Sequence, residues 1–251
     1  DYPLLPIPIP IPIPSLEGAM TTQSVVVTGA FGALGVAVAS AFVARGARVA
    51  LLDVAPQPPA SIRERFGPAP LLFGGVDLSD LESTRRVMDV TAARFGGIDV
   101  LVNVAGGFRW ETLADGDVET WDQLYAMNLR TAVVCCKTVL PAMLARGSGR
   151  IINIGAAAAA RAGVGMGAYT ASKAGVQRLT ESLSEELKDR DITVNAILPG
   201  TIDTPRNRAD MPDADFTRWV APQTIAGVIV FLASDAAGAV TGASIPVLGR
   251  G

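Results

Sequence analysis

Tyr169 and Lys173 stand four residues apart in Tyr169-Thr170-Ala171-Ser172-Lys173. On a helix that spacing puts both on one face. An ammonium beside a phenol favours the ionised ring, so a group with a pKa near ~10 in water becomes a usable acid or base near neutrality. Taken alone, Tyr-x-x-x-Lys is equally a surface tyrosine and a solvated lysine. The surroundings of the pair have to decide between these.

The pair follows an apolar run, Ile151-Ile152-Asn153-Ile154, and a small-residue stretch from Gly155 to Ala160. This reads as a buried strand, a loop and the start of a helix. The same alternation recurs along the chain. Ser24–Thr28 is a strand that runs into glycines, Ala33 to Arg45 has helical apolar spacing, and Arg48–Leu52 is a second strand ending at Asp53. That is a βαβ unit of roughly 30 residues, which yields parallel strands. Further strands are expected at Leu71–Val76, Ile98–Val102, Ile192–Leu198 and Ala243–Leu248. Helices are expected in a short piece after the prolines at 56–59, at Leu81–Phe95, at about Val118–Ala145 with a break near its start, from Tyr169 to about Asp189, and at Pro222–Ala233. Pro199 to Asp215 reads as a loop or lid. The expected fold is α/β: one doubly wound parallel sheet of about seven strands in a single domain, with helices on both faces. In such sheets ligands bind beyond the carboxyl ends of the strands. Gly29, Asp53, Asp77, Asn103, Gly155 and Pro199 all fall there.

The first of these ends can hold a dinucleotide. Thr28-Gly29-Ala30-Phe31-Gly32-Ala33-Leu34-Gly35 joins a strand to a helix, where glycines admit a pyrophosphate to the backbone and the helix start offers free N–H groups. Asp53, 24 residues after Gly29, ends the next strand. A carboxylate there accepts from both ribose hydroxyls and repels a 2′-phosphate, and no Arg or Lys directly follows it. NAD is therefore expected over NADP. Asp77 is placed to bond the adenine amine, or serves only as a helix-start residue before Leu78-Ser79-Asp80.

Composition limits the alternatives. The chain has 251 residues, 49% hydrophobic and 18% charged, with a net charge of -3. That suits a full core and disfavours a nucleic-acid surface, and no apolar run has the length and flanks of a membrane span. The chain has no histidine, which removes His-based triads and most zinc sites, and no metal is expected. Cys135 and Cys136, adjacent in a helix, read as core residues in a reducing, cytoplasmic setting. Residues 1–19 alternate Ile and Pro before Gly18-Ala19-Met20 and read as an appended leader, with a natural docking tail as the alternative; residues 20–251 form the folded domain.

With these residues in order, the chain resembles the short-chain dehydrogenase/reductase family over essentially Ser24 to Gly249. The resemblance is carried by Thr28-Gly29…Gly35, Asp77, Asn103-Val104-Ala105-Gly106, Asn128, Tyr169…Lys173 and Pro199-Gly200. It implies a Rossmann fold and hydride transfer to or from a nicotinamide. It implies Tyr169 as the proton donor or acceptor, Lys173 on the nicotinamide ribose and Asn128 holding a water of a proton relay. Gly29, Phe31, Gly32, Ala33, Leu34, Asp53, Asp77, Leu78, Asn103, Ala105 and Gly106 would bind the cofactor together with Tyr169 and Lys173. Pro199, Gly200, Ile202 and Thr204 would line the nicotinamide. A small-molecule substrate and a homo-oligomer built on the apolar helices around Val133–Met143 and Ala174–Leu187 are implied as well.

Two positions depart from the family pattern. Ala33 replaces the middle glycine of the phosphate loop. Ala156 stands thirteen residues before Tyr169, where the family has a catalytic Ser, and residues 155–160 carry no hydroxyl. Loss of such a donor costs on the order of 10²–10³ in rate where the reaction needs it. Asn153 or a water could stand in, the substrate could do without the donor, or the protein could bind NAD without turnover. A narrower similarity, to dihydropteridine reductase, favours the second. That enzyme lacks the Ser and keeps the Tyr and Lys, and the segments Gly32-Ala33-Leu34-Gly35, Val104–Phe108, Ile202–Arg208 and Met211–Trp219 look like it. This implies NADH-dependent reduction of a flat conjugated ring, on which Phe108, Trp110 and Trp219 would stack near Ala156. An ordinary alcohol, ketone or 3-oxoacyl dehydrogenase, in which another group replaces the Ser, remains the alternative.

Overall fold

The computed structural model describes residues 22–250. The leader and its boundary lie outside the described residues. The strands are β1 (Ser24–Thr28), β2 (Arg48–Leu52), β3 (Leu71–Phe73), β4 (Val100–Asn103), β5 (Ser148–Ile154), β6 (Asp191–Pro199) and β7 (Ser244–Val247). They form one sheet in the order β3-β2-β1-β4-β5-β6-β7, with every neighbouring pair parallel. The expected doubly wound sheet is the observed one.

Alternate residues of each strand feed two cores, which is why the strands are apolar throughout rather than alternating. Val25, Val27, Val49, Leu51, Val100, Val102, Ile152 and Ile197 face one core, which also takes α1 (Ala33–Val43) and α8 (Pro222–Leu232). Val26, Ala50, Leu52, Leu101, Ile151 and Val194 face the other, packed by α3 (Leu81–Phe95), α5 (Thr131–Arg146) and α6 (Gly167–Glu186). Among the described residues there are also three short α-helices: α2 (Ala60–Phe66), α4 (Val118–Leu124) and α7 (Pro205–Asp210). Among the described residues no helix is long and apolar enough to cross a membrane.

Local chemistry sets the helix ends. The Asp80 carboxylate accepts from Ser83 N at 2.7 Å and starts α3, and Gly96, left-handed at φ 78°, stops it. The break expected near the start of the long helix from Val118 is a π-helical segment, Tyr125–Arg130, between α4 and α5. One expectation needs correction. The loop after β6 contains α7, because Thr204 caps it by accepting from Asn207 N and Pro205 occupies its first turn. A lone threonine before Pro-Arg-Asn is a weak cue against three nearby prolines.

Candidate active site

The order of the sheet reverses between β1 and β4, and the chain crowds together at the carboxyl ends of these two strands. Gly29 has φ 57°, and a Cβ on it would sit 2.8 Å from Ala105 Cα. The Thr28 hydroxyl accepts from Ala105 N at 3.1 Å. Both contacts explain why the loop begins with glycine and why Ala105 lies beside it.

The loop then opens α1 at Gly32, where no side chain caps the helix and its first turn holds no acid. Ala33 is exposed there, so its methyl points away from the packed interior and the missing middle glycine leaves the local fold undisturbed. Asp53 reaches this loop directly: Oδ2 accepts from Phe31 N at 2.9 Å and Oδ1 from Ala55 N at 3.0 Å. A carboxylate has about four acceptor sites, so each oxygen keeps one for a ribose hydroxyl. The uncapped helix start and this half-used carboxylate fit a dinucleotide. Asp77 is different, because its Oδ1 is taken by Ser79 N at 2.9 Å and Ser79 Oγ at 2.7 Å. These bonds lead the causes that hold its carboxyl below the usual range. Leu78 is buried in the second core.

The reactive pair comes from the first turns of α6. Lys173 is 5% exposed, and its Nζ donates to Ile154 O at 2.8 Å at the end of β5. A Cβ on Gly106 would come within 3.1 Å of Lys173 Nζ and 2.6 Å of Asn128 Oδ1, so only glycine lets β4's exit pass over the ammonium. Asn128, within the π-helical segment, clamps the next peptide. Its Oδ1 accepts from Gly107 N at 2.8 Å, and its Nδ2 donates to Gly107 O at 3.1 Å and to Ser172 Oγ at 2.9 Å. Ser172 in turn donates to Tyr169 O at 2.7 Å. Both Asn128 amide hydrogens are therefore engaged with protein. The family resemblance singled out Asn128 but gave no cue to Ser172, whose role depends on a contact 44 positions away.

Electrostatics here departs from expectation. Burial pushes the Tyr169 phenol up to about 12 and pulls Lys173 down to about 8. In the protein alone desolvation governs both groups, and the ammonium's help to the phenol is not what sets its acidity.

Asn153 does not replace the missing Ser. It is wholly buried; its Nδ2 donates to Thr180 Oγ1 at 2.9 Å, and its Oδ1 accepts from Asn103 Nδ2 at 2.8 Å. Those bonds tie β4, β5 and α6 together inside the core. Ala156 is buried too, at 5%.

A family model described as short chain dehydrogenase matches residues 23–215. The chain belongs to the short-chain dehydrogenase family. It is 32% identical to a D-xylose 1-dehydrogenase of Caulobacter vibrioides over 91% of this chain and 93% of that protein. It is 35% identical to nodulation protein G of Azospirillum brasilense, over 92% and 98%. It is also 36% identical to a cis-4-hydroxycyclohexanecarboxylate dehydrogenase of Sinomonas cyclohexanicum, over 92% and 97%.

For a short-chain dehydrogenase, the remaining expected residues divide. Phe108 meets the Tyr169 ring edge-on, with centroids 4.9 Å apart, and Trp110 lies over Gly165. Pro199 ends β6, and Gly200 N bonds to Val247 O at 3.1 Å. Ile202 pairs with Val220, and the Thr204 hydroxyl is used as the α7 cap. Trp219 packs on Phe216, 4.8 Å away, within the same excursion after β6.

Proposed function

We propose that this chain is an NAD(H)-dependent oxidoreductase in which Tyr169 gives or takes the proton of a hydride transfer. The observation that carries this is Lys173, buried beneath Gly106 and bonded to β5, one helical turn from Tyr169 at the sheet's reversal. A bound nicotinamide would supply the hydride chemistry. Phe31, Gly32, Ala33 and Leu34 would hold its pyrophosphate end with backbone N–H groups, and Asp53 would take the adenosine ribose hydroxyls. Lys173 would turn from Ile154 O toward the second ribose. Asn128 and Ser172 hold the turn at Gly107 so that Tyr169 faces the substrate from a fixed backbone. The Asp53 carboxylate beside the loop supports NAD over NADP.

We favour a substrate whose acceptor is a conjugated, quinonoid-like ring, as in a dihydropteridine reductase. Delocalisation then does what the absent hydroxyl at Ala156 would do for a carbonyl. The relatives support a second reading, oxidation of a sugar or ring alcohol, since their names place them on such substrates. Exposed apolar side chains from α4 to α5, Trp121 on α4, Tyr125 in the π-helical segment and Val133 on α5, support a helix-joined homo-oligomer. The buried free thiols of Cys135 and Cys136 suit a reducing compartment.

The deciding assay follows reduced-nicotinamide absorbance with a quinonoid dihydropterin and, separately, with simple ketones and sugar alcohols. Turnover of the pterin alone supports the first reading, and turnover of alcohols or ketones the second. NADH binding with neither would sink the catalytic proposal. In parallel, Asp53→Ala should move the NAD/NADP preference toward NADP by roughly tenfold, the order of one charge interaction; an unchanged ratio removes Asp53 from cofactor choice.

A further inference from the structure

We infer that the strap Gly107–Glu111 is the wall that selects the substrate, and that it accepts a ring with apolar faces and disfavours polyols. The inference rests on the oxidoreductase reading above and names the substrate class of that site.

The strap is pinned at both ends. Asn128 holds the Gly107 peptide by its N–H and its carbonyl, and Glu111 N donates to Gly165 O at 2.9 Å. Between the pins, Phe108 rests against Tyr169 and the Trp110 indole covers Gly165, where a Cβ would meet the ring. Gly165 has φ 72°, and glycine serves both the turn and the ring above it. Phe108 thus rests on the first turn of α6, and Trp110 on the segment that leads into it. Each still exposes about half of its surface, 51% for Phe108 and 59% for Trp110, and Val164 beside them is exposed as well.

The strap's carboxylate is already paired, and its guanidinium spends one N–H on α4. Arg109 donates to Thr120 Oγ1 at 3.0 Å, and Thr120 donates to Glu111 Oε2 at 2.7 Å. The other Glu111 oxygen accepts from Asp117 N. The stretch that should face the substrate from β5, residues 155–160, offers only glycine and alanine. A polyol entering here gives up water at several hydroxyls and meets few free partners, and each hydroxyl left unpaired weakens binding by roughly tenfold. A ring laid on aromatic faces meets no such loss.

The test is a binding titration of the full chain with NAD present, using cyclohexanol and D-xylose, read by the Trp110 fluorescence obtained as the difference between wild type and Trp110→Phe. Cyclohexanol should bind roughly tenfold or more tightly than D-xylose. Phe108→Ala and Gly165→Ala should each weaken cyclohexanol by roughly tenfold, with NAD affinity unchanged. Equal or tighter binding of D-xylose, no binding of cyclohexanol, or cyclohexanol binding untouched by both substitutions overturns the inference. Failure of the underlying reading looks different. Ring binding with no hydride transfer on the dihydropterin, ketones or alcohols sinks the reading and leaves the wall, whereas absence of NAD binding sinks both.

Discussion

The ground around Lys173 and the excursion after β6 use hydrogen bonds in opposite ways. Around Lys173 the partners are distant in sequence: Asn128 with Gly107 and Ser172, Lys173 with Ile154, Asn103 with Asn153. In the excursion they are neighbours. Arg208 grips Asp203 through two bonds of 2.6 and 2.8 Å and lies 4.8 Å over the Phe216 ring, Thr204 caps Asn207, and Asp215 holds Thr217. The excursion's two ends pair at Ile202 and Val220, which pack on the core, and Arg250 N donates to Arg218 O at 3.0 Å. Buried long-range bonds fix a site, because breaking one strands a polar group away from water. Exposed local bonds travel with their segment and cost little to move. The difference teaches that the chemistry is anchored by buried long-range bonds, whereas the excursion is held mostly by exposed local ones.

The largest effect expected of this division is at Tyr169. Tyr169→Phe should lower turnover by roughly 10²–10⁴ while NADH still binds, as read by steady-state rates beside fluorescence titration; near-normal turnover would sink the acid/base role. Next comes Gly106→Ala, which thrusts a methyl at Asn128 Oδ1 and Lys173 Nζ. An overpacking cost of about 1–3 kcal/mol should appear in thermal melts, and an unchanged melt would mean the clamp is looser than its distances.

Lys173→Met sharpens the comparison through pH. The Lys173 pKa in the folded protein, about 8, lies below its ordinary value of 10.5. The unfolded chain therefore holds more protons between these values, and wild-type stability gains with rising pH there. Below about pH 8 the buried charge carries its full penalty. Denaturant melts of the cofactor-free protein should show wild type gaining on Lys173→Met from about pH 8 to 10.5; a gap independent of pH would contradict the burial argument. The smallest effect should be Arg208→Ala. Its pair is half exposed on the arginine side, so the thermal melt should barely move, with NADH affinity unaltered. A large loss would show that the excursion is part of the body after all.

The amino-acid pattern by itself determined the doubly wound sheet, because buried strands on both faces and amphipathic helices write their periods directly into the chain. It also determined which strand ends matter, since glycines, acids and the Tyr–Lys pair recur there. Only the tertiary structure decided what those residues touch. Asn153, a candidate donor when read in sequence, is a core strut because its strand partner is Asn103. Asn128 grips Gly107 because a π-helical turn carries it there. Lys173 does not govern the acidity of Tyr169 in the protein alone, because burial outweighs a charge that spacing alone would favour. Burial and long-range pairing depend on which surfaces meet, and residue spacing along one chain does not contain that information.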